Sequence, residues 1–129
     1  MKINFTGGKK VDIIYKNFII KTDQPIRHGG KNTNPEPFSL FIASIGACIG
    51  FYILSFCQER NIETKKINLL LQTKKNNQTN MIEQIDIKIN LHKNFPEKYI
   101  KTMIKVANLC TVKKHLENPP KINFIISEN

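Results

Sequence analysis

Phe38–Cys57 reads FSLFIASIGACIGFYILSFC, twenty residues without Asp, Glu, Lys, Arg or His. Pro35-Glu36-Pro37 precedes it and Gln58-Glu59-Arg60 follows. A run this apolar has to be shielded from water. Its length suits a bilayer span as well as a buried helix. Gly46 and Gly50 add the small-xxx-small spacing found where membrane helices pack. Against a span stand Ser39, Ser44 and Ser55, and flanking strands with one wet face that need an apolar partner. The reading is therefore the buried core helix of a soluble protein, apolar on all sides and expected to be covered on all sides. The small residues then signal close approach by another helix, including one from a second subunit. Pro37 fits the first helical turn, where its missing N–H costs nothing. Asn61 supplies the stop.

In front of this helix, Ile3–Phe5 reads as a short strand and Gly7-Gly8 as a turn. Val11–Tyr15 and Phe18–Lys21 are β-branched and aromatic runs separated by Lys16-Asn17, the pattern of a hairpin. Residues 22–37 form a loop rich in turn formers, at a helix entrance where function often resides. Behind the helix, Lys66–Thr73 and Ile82–Leu91 pair as a hairpin around Lys75-Asn76-Asn77. In the second strand Ile85, Ile87, Ile89 and Leu91 alternate with polar residues. Asn94–Leu109 is expected to be helical with Asn94 as cap, then Thr111–Leu116 as a short helix, and Ile122–Ile126 as a last strand. The order βββ-α-ββ-α-α-β describes one α+β domain over residues 1–129.

The chain has 129 residues, 40% hydrophobic and 23% charged, with a formal net charge of +10. That composition fits a folded domain rather than a disordered chain. The lysines are scattered singly or in pairs and only Arg27 and Arg60 are arginines. This describes a solvated basic surface more readily than a nucleic-acid site, so no nucleic-acid partner is expected. No secretory signal is recognisable, and the three cysteines are odd in number; both point to a reducing, cytoplasmic setting. Without CxxC or His/Cys spacing, no metal site is expected.

Cys48 sits between Ala47 and Ile49 with Gly46 and Gly50 beyond them, so its sulfur is uncrowded and reachable from a pocket. Cys57 lies nine residues on, at about 100° per residue on the opposite helix face, and reads as a structural thiol. Cys110 directly precedes Thr111-Val112-Lys113-Lys114-His115. A helix start with nearby cations lowers a thiol's pKa, which marks Cys110 as reactive. Cys48 and Cys110 make a candidate redox pair.

These residues also carry a resemblance. Asp23-Gln24-Pro25, His28-Gly29-Gly30, Asn34-Pro35-Glu36-Pro37-Phe38, Ala43-Ser44-Ile45-Gly46-Ala47-Cys48 and Cys110-Thr111-Val112-Lys113 together resemble the OsmC/Ohr family over nearly the whole chain. The resemblance implies an OsmC-like fold, an intertwined homodimer with antiparallel sheets wrapped around long central helices. It also implies a thiol peroxidase acting on organic hydroperoxides. Cys48 would be the peroxidatic cysteine, Cys110 the resolving one, and an external dithiol the reductant, with no bound cofactor. Family members activate the first thiol with a carboxylate and an arginine. The aligned carboxylate position holds Ser39, with Glu36 three residues earlier and Arg27 in the corresponding loop region. These three are the candidates for thiolate support. Because of that departure, a non-catalytic OsmC-like protein, binding a small apolar or sulfur-containing ligand in the same pocket, is the alternative reading.

Overall fold

A computed structural model describes residues 1–128 and gives a mixed α/β chain with two antiparallel sheets and three α-helices. By internal contacts it divides into two compact units, Met1–Ser44 and the part from Ile45 onward.

The first unit is a three-stranded meander, β1 (Lys2–Gly7), β2 (Lys10–Tyr15) and β3 (Phe18–Thr22), followed by a loop and the first residues of α1. Lys16 turns the second hairpin at φ 52°, so that Tyr15 faces Phe18 across a two-residue connection. Thr22 ends the sheet, its buried hydroxyl donating to the Val11 carbonyl at 2.6 Å. The loop beyond it is held by Asp23, whose side chain is 1% exposed. One carboxylate oxygen accepts from the Gln24 N–H at 2.8 Å. The other accepts from the Lys31 and Thr33 N–H groups and the Thr33 hydroxyl, at 3.2, 3.0 and 2.8 Å. These bonds, the Thr33 amide first among them, hold the Asp23 pKa down to about 2 against burial. Arg27 lies in a short 3-10 turn (Ile26–His28) inside this loop.

Helix α1 runs Pro37–Gln58, with proline at the first helical position as expected. Its end is a Schellman motif: Asn61 sits at φ 53°, the Ile62 N–H reaches the Cys57 carbonyl and the Asn61 N–H the Gln58 carbonyl. One face of the helix, Ile45, Ile49, Ile53, Phe56 and Cys57, is buried. The expectation of cover on all sides is not met within one chain. Phe41, Phe51 and Leu54 are 38%, 62% and 40% exposed, because the chain's own elements pack on one side only. The helix is long and apolar enough to cross a membrane, an 18-residue stretch of it having a mean hydropathy of 2.2.

In the second unit β4 (Asn68–Lys75) and β5 (Ile82–Asn90) form the expected hairpin. Asn76 closes it as an Asx turn, its side-chain oxygen accepting from the Gln78 and Thr79 N–H groups. Helix α2 covers Ile100–Ala107 and α3 Thr111–Glu117. The helix expected from Asn94 starts later. Pro96 is extended at ψ 111°, has no N–H and disfavours helical geometry at Phe95, so only a 3-10 turn (Glu97–Tyr99) precedes α2. Ile122–Ile126 is not a strand. Among the described residues it has no ladder partner, and Ile122, Phe124, Ile125 and Ile126 are 82–95% exposed.

Candidate paired-thiol site

Two helices and a junction build the site. Helix α1 presents Cys48 one residue before the buried Ile49, at the margin of its packed face, so the thiol is partly exposed. Cys110 occupies the break between α2 and α3. Its N–H donates to the Ala107 carbonyl at 3.3 Å and its own carbonyl accepts from Lys114 at 3.0 Å. It is the cap of α3, with Sγ accepting from the Lys113 N–H at 3.4 Å, and is wholly buried. A sulfur thus takes the place usually given to a Ser, Thr or Asp oxygen.

The two thiols influence each other's ionisation, Cys110 lowering Cys48 and Cys48 raising Cys110. The first amides of α3 belong to a helix start, where N–H groups lack intrahelical partners. Those of Thr111 and Val112 favour the ionised form of Cys48, and that of Val112 acts on Cys110 in the same sense. Burial pushes the Cys48 thiol up. The Cys110 S–H and these two amides outweigh it and leave Cys48 below the ordinary thiol value. Burial raises Cys110, and its interaction with Cys48 raises it further, with the Lys113 and Val112 amides opposing. Of the pair, Cys48 is therefore the thiol that gives up its proton more readily and Cys110 the one that holds it. This corrects the sequence-based reading of a lowered pKa at Cys110, since burial there outweighs the helix start. Cys57 is fully buried and raised, chiefly by burial, against the pull of Arg60.

Arg27, Glu36 and Ser39 all belong to the first unit, Met1–Ser44. Arg27 and Glu36 pair with each other at 4.0 Å, with the arginine side chain 69% exposed. Ser39 lies exposed in the first turn of α1. The residues that sequence reasoning missed are the backbone donors of Thr111 and Val112. The cap-like position of Cys110 before a helix was the one signal that could have pointed to them.

The second unit also holds an apolar cavity of about 320 Å³. Ile45 and Ile49 of α1 line it on either side of Cys48 in sequence, with Ile85, Ile87 and Ile89 of β5 opposite and Lys113 from α3. Lys113 is the residue whose N–H caps Cys110. The period-two pattern of β5 is what brings its three isoleucines to one face.

Fold and site define an α+β protein with a paired-thiol centre. The family model described as OsmC-like protein matches residues 29–125, and the chain belongs to that family. No curated protein sequence gives a significant match. Solved structures do. A Psychrobacter arcticus protein assigned to the osmotic stress and detoxification response is 21% identical, over 88% of this chain and 84% of that one, with a TM-score of 0.74. An OsmC-like protein from Mycoplasma pneumoniae is 16% identical over 85% and 80%, with a TM-score of 0.66. The organic hydroperoxide resistance protein OhrB of Bacillus subtilis is 20% identical over 92% and 90%, with a TM-score of 0.53. At these identities the likeness establishes the fold.

Proposed function

We propose that this chain is a cysteine-based thiol peroxidase for organic hydroperoxides. The observation that carries the reading is the unequal thiol pair, with Cys48 lowered by three donors and Cys110 raised beside it. The Cys48 thiolate attacks the distal oxygen of ROOH. The O–O bond breaks, Cys48 becomes a sulfenic acid, and the alkoxide leaves as ROH after taking a proton. The Cys110 sulfur then attacks the sulfenic sulfur, a disulfide forms and water departs. An external dithiol reduces the disulfide and restores both thiols. The three β5 isoleucines and the two α1 isoleucines of the cavity suit an alkyl chain better than hydrogen peroxide.

The test is turnover of an alkyl hydroperoxide with a dithiol reductant. Cys48→Ser is expected to abolish it and Cys57→Ser to leave it intact. Equal loss in both variants, or no turnover by the unaltered protein with any dithiol, overturns the reading. A second reading is non-catalytic binding of a small apolar or sulfur-containing ligand. The neutral character of all donors acting on Cys48 favours it. Saturable ligand binding without turnover would establish that reading.

The fold's finer arrangement belongs to the same proposal. The chain forms a homodimer, in the reducing cytoplasm, in which a second copy covers the open face of α1. Phe51 and Leu54 on that face are exposed, and a Cβ added at Gly50 would meet nothing within 4 Å. Sedimentation at micromolar concentration should give a dimer; a monomer contradicts it.

A further inference from the structure

The first unit contains a cavity of about 200 Å³ that has no part in the thiol chemistry. It is lined by Thr6 to Lys10 of the β1–β2 hairpin, by Gly29–Lys31 and by Asp23. Three lysines line it, Lys9, Lys10 and Lys31. Among the described residues none of the three is in an ion pair. Asp23 does not engage them, because both of its oxygens are occupied by the Gln24, Lys31 and Thr33 donors. Three positive charges less one negative leave the cavity at +2.

At Gly7 and Gly8 the backbone of the cavity is bare. Gly7 and Gly8 lie at φ 104° and 61°, and a Cβ on either would meet nothing within 4 Å. A Cβ on Gly29 would come 3.5 Å from the Cε of Lys9, so the Lys9 side chain reaches the facing loop. Glycine backbone lets an anion approach the main chain, and lysines supply mobile point charges with three donors each.

We propose that this cleft binds a phosphate group, as inorganic phosphate or as a small phosphate monoester. A monoester carries about −1.5 to −2 at pH 7 and offers three acceptor oxygens, which match the charge of +2 and the three ammonium groups. A monocarboxylate would leave one positive charge unmatched.

Titration with inorganic phosphate at constant ionic strength, using chloride as the reference salt, tests this by amide resonance shifts. The amides of Gly7, Gly8, Gly29 and Gly30 are expected to shift saturably. Lys9→Gln with Lys31→Gln should weaken the apparent affinity at least about tenfold, since two charge-assisted contacts are lost. Thr6→Glu should do the same by bringing a carboxylate to the cavity wall. Lys101→Gln with Lys105→Gln, at exposed positions on α2, should leave affinity unchanged. A parallel titration with glycerol 3-phosphate separates the two sources, the tighter ligand being the one that fits. Non-saturating shifts, equal weakening by the α2 pair, or unaltered affinity in the Lys9/Lys31 variant overturns the proposal.

Discussion

Thr111→Pro removes one donor from Cys48 and little else. Thr111 is the first residue of α3, where proline is well tolerated and the lost N–H breaks no intrahelical bond. The residue before it, Cys110, has ψ 118°, outside the helical region that a following proline disfavours. A hydrogen bond to a charged group contributes about 1.5–3 kcal/mol. Sulfur is a weak acceptor, which places this one at the lower end. With 1.36 kcal/mol for each pKa unit, the Cys48 pKa should rise by about one unit. Below that pKa the thiolate fraction then falls about tenfold, and the rate of hydroperoxide reduction with it. The assay is ultraviolet absorbance of the thiolate against pH in a Cys57→Ser background, beside the pH profile of turnover. Thiolate chemistry requires the rate to fall as pH drops through the Cys48 pKa, so the profile of the variant should move to higher pH. Thr111→Ala keeps the N–H and should leave both curves in place. An unchanged Cys48 titration in a Thr111→Pro protein of normal helicity would refute the claim that α3 amides stabilise the thiolate.

Three further outcomes are expected. Ile53→Ala, at a side chain 2% exposed, should cost about 2–5 kcal/mol in denaturant unfolding. Gly30→Ala should destabilise by about 1–3 kcal/mol in the same assay, because its Cβ would overlap the Gln24 carbonyl, and backbone cannot swing aside. The folded Asp23 pKa of about 2 lies below the ordinary carboxyl value of 3.8, so the unfolded chain binds more protons between them. The contribution of Asp23 is therefore present above about pH 4 and is lost as pH falls toward 2. Asp23→Asn should flatten the stability profile in that window; an unchanged profile would sink the account.

The elements legible in the sequence are those fixed by local pattern. Pro37 and Asn61 bound α1 because each acts through its own backbone geometry. The alternation of Ile85, Ile87 and Ile89 marks β5 because a pleat repeats every two residues. The site was legible only in part. Cys48 and Cys110 stand out as side chains, but the Thr111 and Val112 donors are main chain, which every residue possesses. Their effect on Cys48 is set by where α3 packs. The same dependence on packing reversed the reading of Cys110, since burial is not written at a residue's own position. Ile122–Ile126 has the β propensity of a strand, yet propensity does not provide a partner edge. The role of Asp23 was also hidden, because its four donors come from residues 24, 31 and 33 of a loop without periodicity.

The contrast among the three cysteines has a consequence for covalent inhibitors. Cys57 and Cys110 are sealed from solvent with raised pKa values, while Cys48 is partly open and ionises more readily than either. Electrophiles react with thiolates they can reach. A mild apolar warhead, such as an alkyl chloroacetamide, should mark the folded protein once, at Cys48. Unfolding would equalise the three sulfurs, so the ratio of single to triple labelling would serve as a count of intact molecules in a mixture.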